Sequence, residues 1–351
     1  MPPVKVFIVD DSAVIRNVFA RQLQERFGFT IVGTAVNGRE ALAKIPVLRP
    51  DVVVMDVEMP VLDGLQTLRA LMASNPVPVV MLSAHTRAGS RATIEALALG
   101  AVDFVPKPAK ASEMPATVAE LGAKIGAAAG SAPQPSLAAP GVPRPAAGPE
   151  EGRPARSRRP ATELVVIGCS TGGPGALRAV LPALPADFGA AVVVVQHMPV
   201  GFTASLAEHL DAHCALAVRH AAHNDRVMPG RVLIAPSGME FGFRSGPDGV
   251  RVTVTEDLSP LPPGGFRPAV DTVMTRAAAV YGARVMGVLL TGMGRDGAEG
   301  MKAIRRAGGY TIAQDEDTCV VYGMPRAAVE AGAVQRVLPL AEIAGEIVRQ
   351  L

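Results

Sequence analysis

The chain has no tryptophan, only 4% aromatic residues and no excess of charge of either sign: Lys+Arg number 34 against 32 Asp+Glu, a formal net charge of +2. That balance gives neither the basic face that nucleic acid requires nor the cationic surface that an anionic membrane attracts. Its three cysteines, Cys169, Cys214 and Cys319, are an odd number at wide spacing. They provide neither a disulfide framework nor a zinc ribbon, and fit a reducing, cytoplasmic setting. No apolar run is long enough to insert into a membrane, and Val4 to Val9 is too short, and too soon followed by acids, for a signal peptide. What the chain does have is 49% hydrophobic residues over 351 positions, enough for two or three domains with their own cores.

One stretch stands apart. From about Gly126 to Pro160 the sequence is Ala, Pro, Gly, Ser and Arg with almost no branched apolar residue. It cannot bury enough surface to offset ordering, and reads as a semi-extended linker. Its arginines from Arg153 to Arg159 read as a solvated basic end. The chain therefore divides into residues 1–122, a Pro/Ala-rich linker over 123–160, and residues 161–351.

Ahead of the linker, short apolar runs at 4–9, 30–35, 52–55, 79–83 and 103–105 alternate with helical patterns. This predicts a parallel sheet wrapped by helices, with ligands at the carboxyl ends of its strands. Asp10 and Asp11 follow the first run, Asp56 ends the third, Ser83 the fourth, and Lys107 follows the fifth. Three carboxylates at one edge raise one another's pKa unless a hard cation sits among them, and Mg²⁺ suits carboxylates that share it with phosphate oxygens. Singly, Asp10 and Asp11 read as helix caps. Together with Lys107-Pro108, where the proline allows a cis bond, they form a site for phosphoryl chemistry on a carboxylate.

Residues 4 to about 121 resemble a two-component receiver domain through Val9-Asp-Asp-Ser, Met55-Asp-Val-Glu-Met-Pro-Val-Leu-Asp-Gly, Met81-Leu-Ser-Ala and Phe104-Val-Pro-Lys-Pro. The resemblance implies a flavodoxin-like fold with Asp56 as phosphoacceptor. It also implies Mg²⁺ held by Asp10, Asp11, Asp56 and the Glu58 backbone carbonyl, with Ser83 and Lys107 on the phosphoryl group and Phe104 as the aromatic that moves on activation.

Beyond the linker the alternation resumes at 164–167, 191–196, 231–235, 285–290 and 310–313. A hairpin is expected over 239–255, turning at Gly246-Pro-Asp-Gly249. This predicts a second doubly wound, Rossmann-like α/β unit. Ser170 in Gly168-Cys-Ser-Thr-Gly-Gly173, His197 in Gln196-His-Met-Pro199 and Asp296 in Thr291-Gly-Met-Gly-Arg-Asp-Gly297 each follow a predicted strand. A serine hydroxyl needs a base, an imidazole supplies one near neutrality, and a carboxylate fixes its tautomer. The order Ser, His, Asp is not that of an α/β-hydrolase, so Gly-x-Ser-x-Gly is not that elbow. Gly292-Met-Gly294 frees backbone N–H groups of the kind an oxyanion hole needs, each such donor being worth roughly 3 kcal/mol in a transition state. The plainer readings are a helix-entry histidine at His197 and a cap at Asp296 for a helix beginning near Glu299. Cys169 is expected to pack inward as a small hydrophobe. His209 and His213, four apart, are expected on a solvated helix face rather than around zinc.

Residues from about 161 to 351 resemble the catalytic domain of the CheB methylesterases. The motifs are those around Ser170, His197 and Asp296, with Gly201-Phe-Thr203, Phe266-Arg-Pro-Ala-Val-Asp271, Ala313-Gln-Asp315 and Tyr322-Gly-Met-Pro325. The resemblance implies hydrolysis of γ-glutamyl methyl esters on chemoreceptors, releasing methanol, and deamidation of glutamines there. Ser170 would attack, His197 shuttle protons and Asp296 orient it. The Met293 N–H would face the oxyanion, Thr171 and Arg267 would support the edge, and no catalytic cofactor would be needed. A CheA-type histidine kinase is the implied phosphodonor, with the receiver packed over the crevice until Asp56 is phosphorylated. Ala235-Pro-Ser-Gly-Met-Glu240, Val200 and Ala269 depart from the family pattern, which bears on substrate docking. A phosphorylation-gated adaptor, or a hydrolase of a non-receptor protein, is the alternative.

Overall fold

The computed structural model describes residues 2–84, 86–130, 161–261 and 265–351. Of the linker expected over 123–160, residues 131–160 lie outside the described residues.

The N-terminal part alternates strand and helix as β1 (Lys5–Val9), α1 (Ala13–Phe27), β2 (Thr30–Ala35), α2 (Gly38–Leu48), β3 (Val52–Asp56), α3 (Gly64–Ser74), β4 (Val79–Ser83), α4 (Arg87–Leu99), β5 (Asp103–Pro106) and α5 (Met114–Ala128). The sheet order is β2-β1-β3-β4-β5, all parallel. Apolar Val, Ile and Met runs are buried on both faces because helices cover both. The strand order reverses between β1 and β3, which opens a crevice at their carboxyl ends, where Asp10 and Asp56 lie. Helix α5 runs to Ala128, past residue 122, where the sequence reading ends this part.

The C-terminal part contains β6 (Leu164–Cys169), α6 (Gly173–Val180), β7 (Ala191–Gln196), α7 (Phe202–Asp211), β8 (Ala217–His220), β9 (Arg231–Ile234), β10 (Glu240–Gly246), β11 (Gly249–Thr255), α8 (Val270–Tyr281), β12 (Val285–Leu289), α9 (Ala298–Arg306), β13 (Tyr310–Gln314), α10 (Met324–Glu330), β14 (Arg336–Leu338) and α11 (Leu340–Arg349). Seven strands form one parallel sheet in the order β14-β13-β12-β6-β7-β9-β8, and β10 and β11 pair as the expected antiparallel hairpin. The chain enters at β6, builds outward through β7, and returns to the other side of β6 as β12. The reversal therefore falls between β6 and β12, beside the residues that carry Ser170 and Asp296.

The two parts touch. The Phe104 and Phe202 rings lie 4.5 Å apart, Arg91 pairs with Glu208 at 2.9 Å, and the Arg178 guanidinium donates to the Ala98 carbonyl. Helix α4 of the N-terminal part thus rests on α6 and α7. Among the described residues no helix is long and apolar enough to cross a membrane.

Candidate active site and phosphoacceptor site

Strands β6 and β7 run in register, with Cys169 opposite Gln196, so the next residues, Ser170 and His197, leave the sheet side by side. His197 N donates to the Cys169 carbonyl at 3.0 Å. The Gln196 side-chain amide donates to the carbonyls of both Ser170 and His197 at 2.9 Å, tying the two turns together. Ser170 N in turn donates to the Thr291 carbonyl, which brings in the loop after β12. A Cβ on Gly292 would lie 2.8 Å from that of Ser170, so only glycine lets this loop pass so close.

Asp296 arrives on that loop, and its Oδ2 lies 2.8 Å from His197 Nε2. The imidazole is buried, and its other nitrogen, Nδ1, has no hydrogen-bond partner among the described residues. Asp296 does not cap α9. Its carboxylate instead accepts from Val270 N at 2.7 Å and Asp271 N at 2.8 Å, at the start of α8, while Asp271 Oδ1 accepts from Gly297 N and Gly300 N at the start of α9. The two helices thus exchange caps. Burial opposes ionisation of Asp296, but the His197 hydrogen bond and the α8 amides outweigh it and hold the carboxyl below its usual range. Asp271 is pushed the other way, first by burial and then by the Asp296 charge. An Asp271→Ala substitution leaves two amides without acceptors, at a cost of about 1–3 kcal/mol. A lower melting temperature, accompanied by loss of activity as Asp296 loosens, is the expected outcome.

Met293 is 42% exposed at this mouth, and its N–H has no acceptor among the described residues. Thr171 is buried, its carbonyl accepting from the Thr291 hydroxyl at 3.0 Å. Arg267 lies apart from the triad side chains, with its guanidinium on Glu240, Asp257 and Ser259. Cys169 is fully buried, as expected, and burial drives its thiol pKa far up. His213 is exposed, but His209 corrects the expectation of a solvated face: it is half-buried, with its pKa lowered to about 4 by burial, His213 and Arg178. Sequence reasoning missed Gln196, Phe266 and Asp271 as contacts of the site, although all three fall inside quoted motifs.

In the N-terminal crevice, carboxylate oxygens of Asp10, Asp11 and Asp56 lie within 4.8 Å of one another. Lys107 Nζ stands 2.8 Å from Asp10 Oδ2 and 2.7 Å from Asp56 Oδ2. Asp10 Oδ1 accepts from Ser12 N at 2.9 Å, while its buried Oδ2 faces the Lys107 ammonium. Crowded oxygen donors of this kind fit Mg²⁺. The Glu58 backbone N–H bonds the Asp56 carboxylate from the same loop. Burial pushes the Asp56 pKa up to about 6, with Lys107 opposing and Asp10 adding to the rise. Burial works against the Lys107 charge too, but its two aspartates keep its pKa above the usual value. Ser83 is buried, and its hydroxyl is engaged by Thr93 Oγ1 at 2.5 Å and the Gly89 carbonyl at 3.4 Å, both on α4. The Lys107-Pro108 bond is trans; among the described residues the cis bond falls at Arg267-Pro268.

Because the Asp56 pKa is raised, its protonated form stabilises the fold below the ordinary carboxylate pKa, and that contribution is lost as pH rises through about 6. Asp56→Asn in metal-free buffer is therefore expected to stabilise the protein at pH 7 by on the order of 3 kcal/mol. The gain should disappear below pH 4 and shrink when Mg²⁺ is added. Denaturant melts at the two pH values check it.

The family described as CheB methylesterase matches residues 165–347, and that described as response regulator receiver domain matches residues 6–119. The chain is 50% identical, over 99% of its length and 97% of the relative's, to the protein-glutamate methylesterase/protein-glutamine glutaminase of Symbiobacterium thermophilum. It is 43% identical to that of Archaeoglobus fulgidus, over 99% of its length and 98% of the relative's. Among solved structures, the Thermotoga maritima CheB methylesterase catalytic domain is 41% identical, with a TM-score of 0.52. That match covers 55% of this chain and all of the other.

Proposed function

The chain belongs to the CheB methylesterase family and carries a response regulator receiver domain, and on that premise we propose that it hydrolyses γ-glutamyl methyl esters, and deamidates glutamines, on cytoplasmic chemoreceptor helices during adaptation. The observation that carries the reading is the 2.8 Å contact of His197 Nε2 with Asp296, which leaves Nδ1 buried and, among the described residues, unpartnered where β6 and β7 deliver Ser170 and His197 together. In this proposal the chain divides into the receiver, the linker over 123–160 and the catalytic domain.

Ser170 Oγ attacks the ester carbonyl as its proton passes to His197 Nδ1. Asp296 stabilises the imidazolium through Nε2. The carbonyl oxygen gains the negative charge, which the free Met293 N–H receives. Collapse expels methoxide, which takes the proton from His197 and leaves as methanol; a glutamine would release ammonia at this same step and give the same glutamyl-serine ester. Water, deprotonated by His197, then attacks that ester, and Ser170 regains its proton as the glutamate is freed. Thr171 braces the β6–α6 turn, and Arg267 anchors the loop ahead of α8. When bound in the receiver, Mg²⁺ would neutralise charge at Asp56, held by Asp10, Asp11, Asp56 and the Glu58 carbonyl. Asp56 accepts a phosphoryl group from a CheA-type kinase. Methanol release from methylated receptor fragments by the purified full chain tests the reading. A wild type inactive on several receptors would favour the adaptor or a non-receptor substrate.

A further inference from the structure

The catalytic histidine has a second restraint besides Asp296. The Phe266 ring lies parallel to the His197 imidazole, with 4.0 Å between centroids and 6° between planes. His197's side chain is 1% exposed, whereas Phe266 is 43% exposed, so Phe266 stands on the solvent side of the imidazole and covers it. One hydrogen bond through Nε2 fixes a point of the ring but leaves it free to tilt about that contact. A flat partner against one face removes the tilt and keeps water from the Nε2–Asp296 contact.

Phe266 is itself held by the segment that follows it. Directly after it, Arg267 donates to Asp257 Oδ2 at 3.0 Å, Ser259 Oγ at 3.1 Å and Glu240 Oε1 at 3.3 Å, and the Arg267 carbonyl accepts from Gly238 N at 2.7 Å. A few residues on, Val270 N and Asp271 N bind the Asp296 carboxylate. One short segment therefore places the face of the imidazole and the orientation of its carboxylate together. An aromatic face also stabilises the ring more once it is protonated, because the quadrupole attracts a cation.

We propose that Phe266 is a positioning residue for His197, holding the imidazole in plane and shielding its contact with Asp296 during proton transfer. The proposal rests on the reading of His197 as the general base. Its test compares Phe266→Tyr, Phe266→Leu and Phe266→Ala in the full chain by methanol release from methylated receptor fragments and by the downfield imidazole N–H proton resonance of His197. With Leu and Ala, kcat is expected to fall about tenfold with KM changed less than about twofold, and the N–H resonance to broaden through exchange with water. Tyr should retain both properties within about twofold of wild type. A Leu variant with wild-type kcat and a sharp resonance, or a loss confined to KM, would overturn the proposal. The resonance needs no substrate, so it answers even if wild type releases no methanol, an outcome that would count against the methylesterase reading alone. Thermal melts distinguish a misfolded Ala variant from a misaligned one, and Leu, which keeps most of the apolar volume, decides the matter if Ala unfolds.

Discussion

Ser170→Ala is expected to reduce methanol release by at least about 10⁴-fold while leaving the fold intact, because the neighbouring thiol cannot take its place as nucleophile. Cys169 is adjacent in sequence, but it is fully buried, its Sγ lies against Gln196 Oε1 at 3.0 Å, and burial keeps the thiol protonated. Asp296→Asn is expected to cost about 10³–10⁴-fold, and to differ in kind. Both Asp296 oxygens accept from backbone amides and one also faces His197 Nε2. An asparagine NH₂ would meet a donor wherever it turned. Asp296→Asn should therefore melt lower as well as react more slowly, whereas Ser170→Ala should only lose activity. Rates and melts on the same preparations separate the two. Ser170→Ala with undiminished release would remove this serine from the chemistry.

Much of this site was legible because its residues follow strands that are apolar and buried on both faces. Val192 to Val195 could be nothing but interior sheet, so His197 had to emerge at its carboxyl edge. The same logic placed Asp10, Asp56 and Lys107 together. Strands β8 and β14 escaped notice because they are short sheet edges with exposed positions, and their pairing comes from β9 and β13 rather than from any apolar run of their own. Phe266 and Asp271 were visible as letters of a motif but not as contacts. Stacking on an imidazole and exchanging caps between α8 and α9 depend on the fold bringing distant segments together, and leave no periodicity behind. The engagement of the Ser83 hydroxyl by α4 is likewise a matter of rotamer, set by Thr93 and Gly89.

A phosphodonor is expected to raise methanol release about 10- to 100-fold in wild type and not at all in Asp56→Asn. A phosphoryl group on Asp56 carries nearly two negative charges where the carboxylate carried one, beside Lys107, and draws in a hydroxyl donor. In the proposed switch Ser83 is that donor, and to reach Asp56 it must give up its contacts with Thr93 and the Gly89 carbonyl. Both belong to α4, the helix that supplies Arg91 to Glu208 and the Ala98 carbonyl to Arg178. The polar part of the interface it would disturb is weak. Its exposed ion pair is worth at most about 1 kcal/mol, and a cavity of about 350 Å³ lies between Thr86 and Ser90 on one side and Val200, Phe202 and Ser205 on the other. Val200 is three residues beyond His197, so a shift of α4 reaches the loop that carries the base. Phe104 joins the same path, its ring between Phe202 at 4.5 Å and the Lys124 ammonium at 5.4 Å. Phe202→Leu keeps the apolar volume but removes a ring pair worth about 0.5–1.5 kcal/mol. It should raise the unphosphorylated rate about 2- to 10-fold and reduce the stimulation by the same factor, while the fully phosphorylated rate stays put. If Phe202→Leu left the unphosphorylated rate unchanged, the ring contact would be packing without a share in control, and the coupling would have to run through α4 alone.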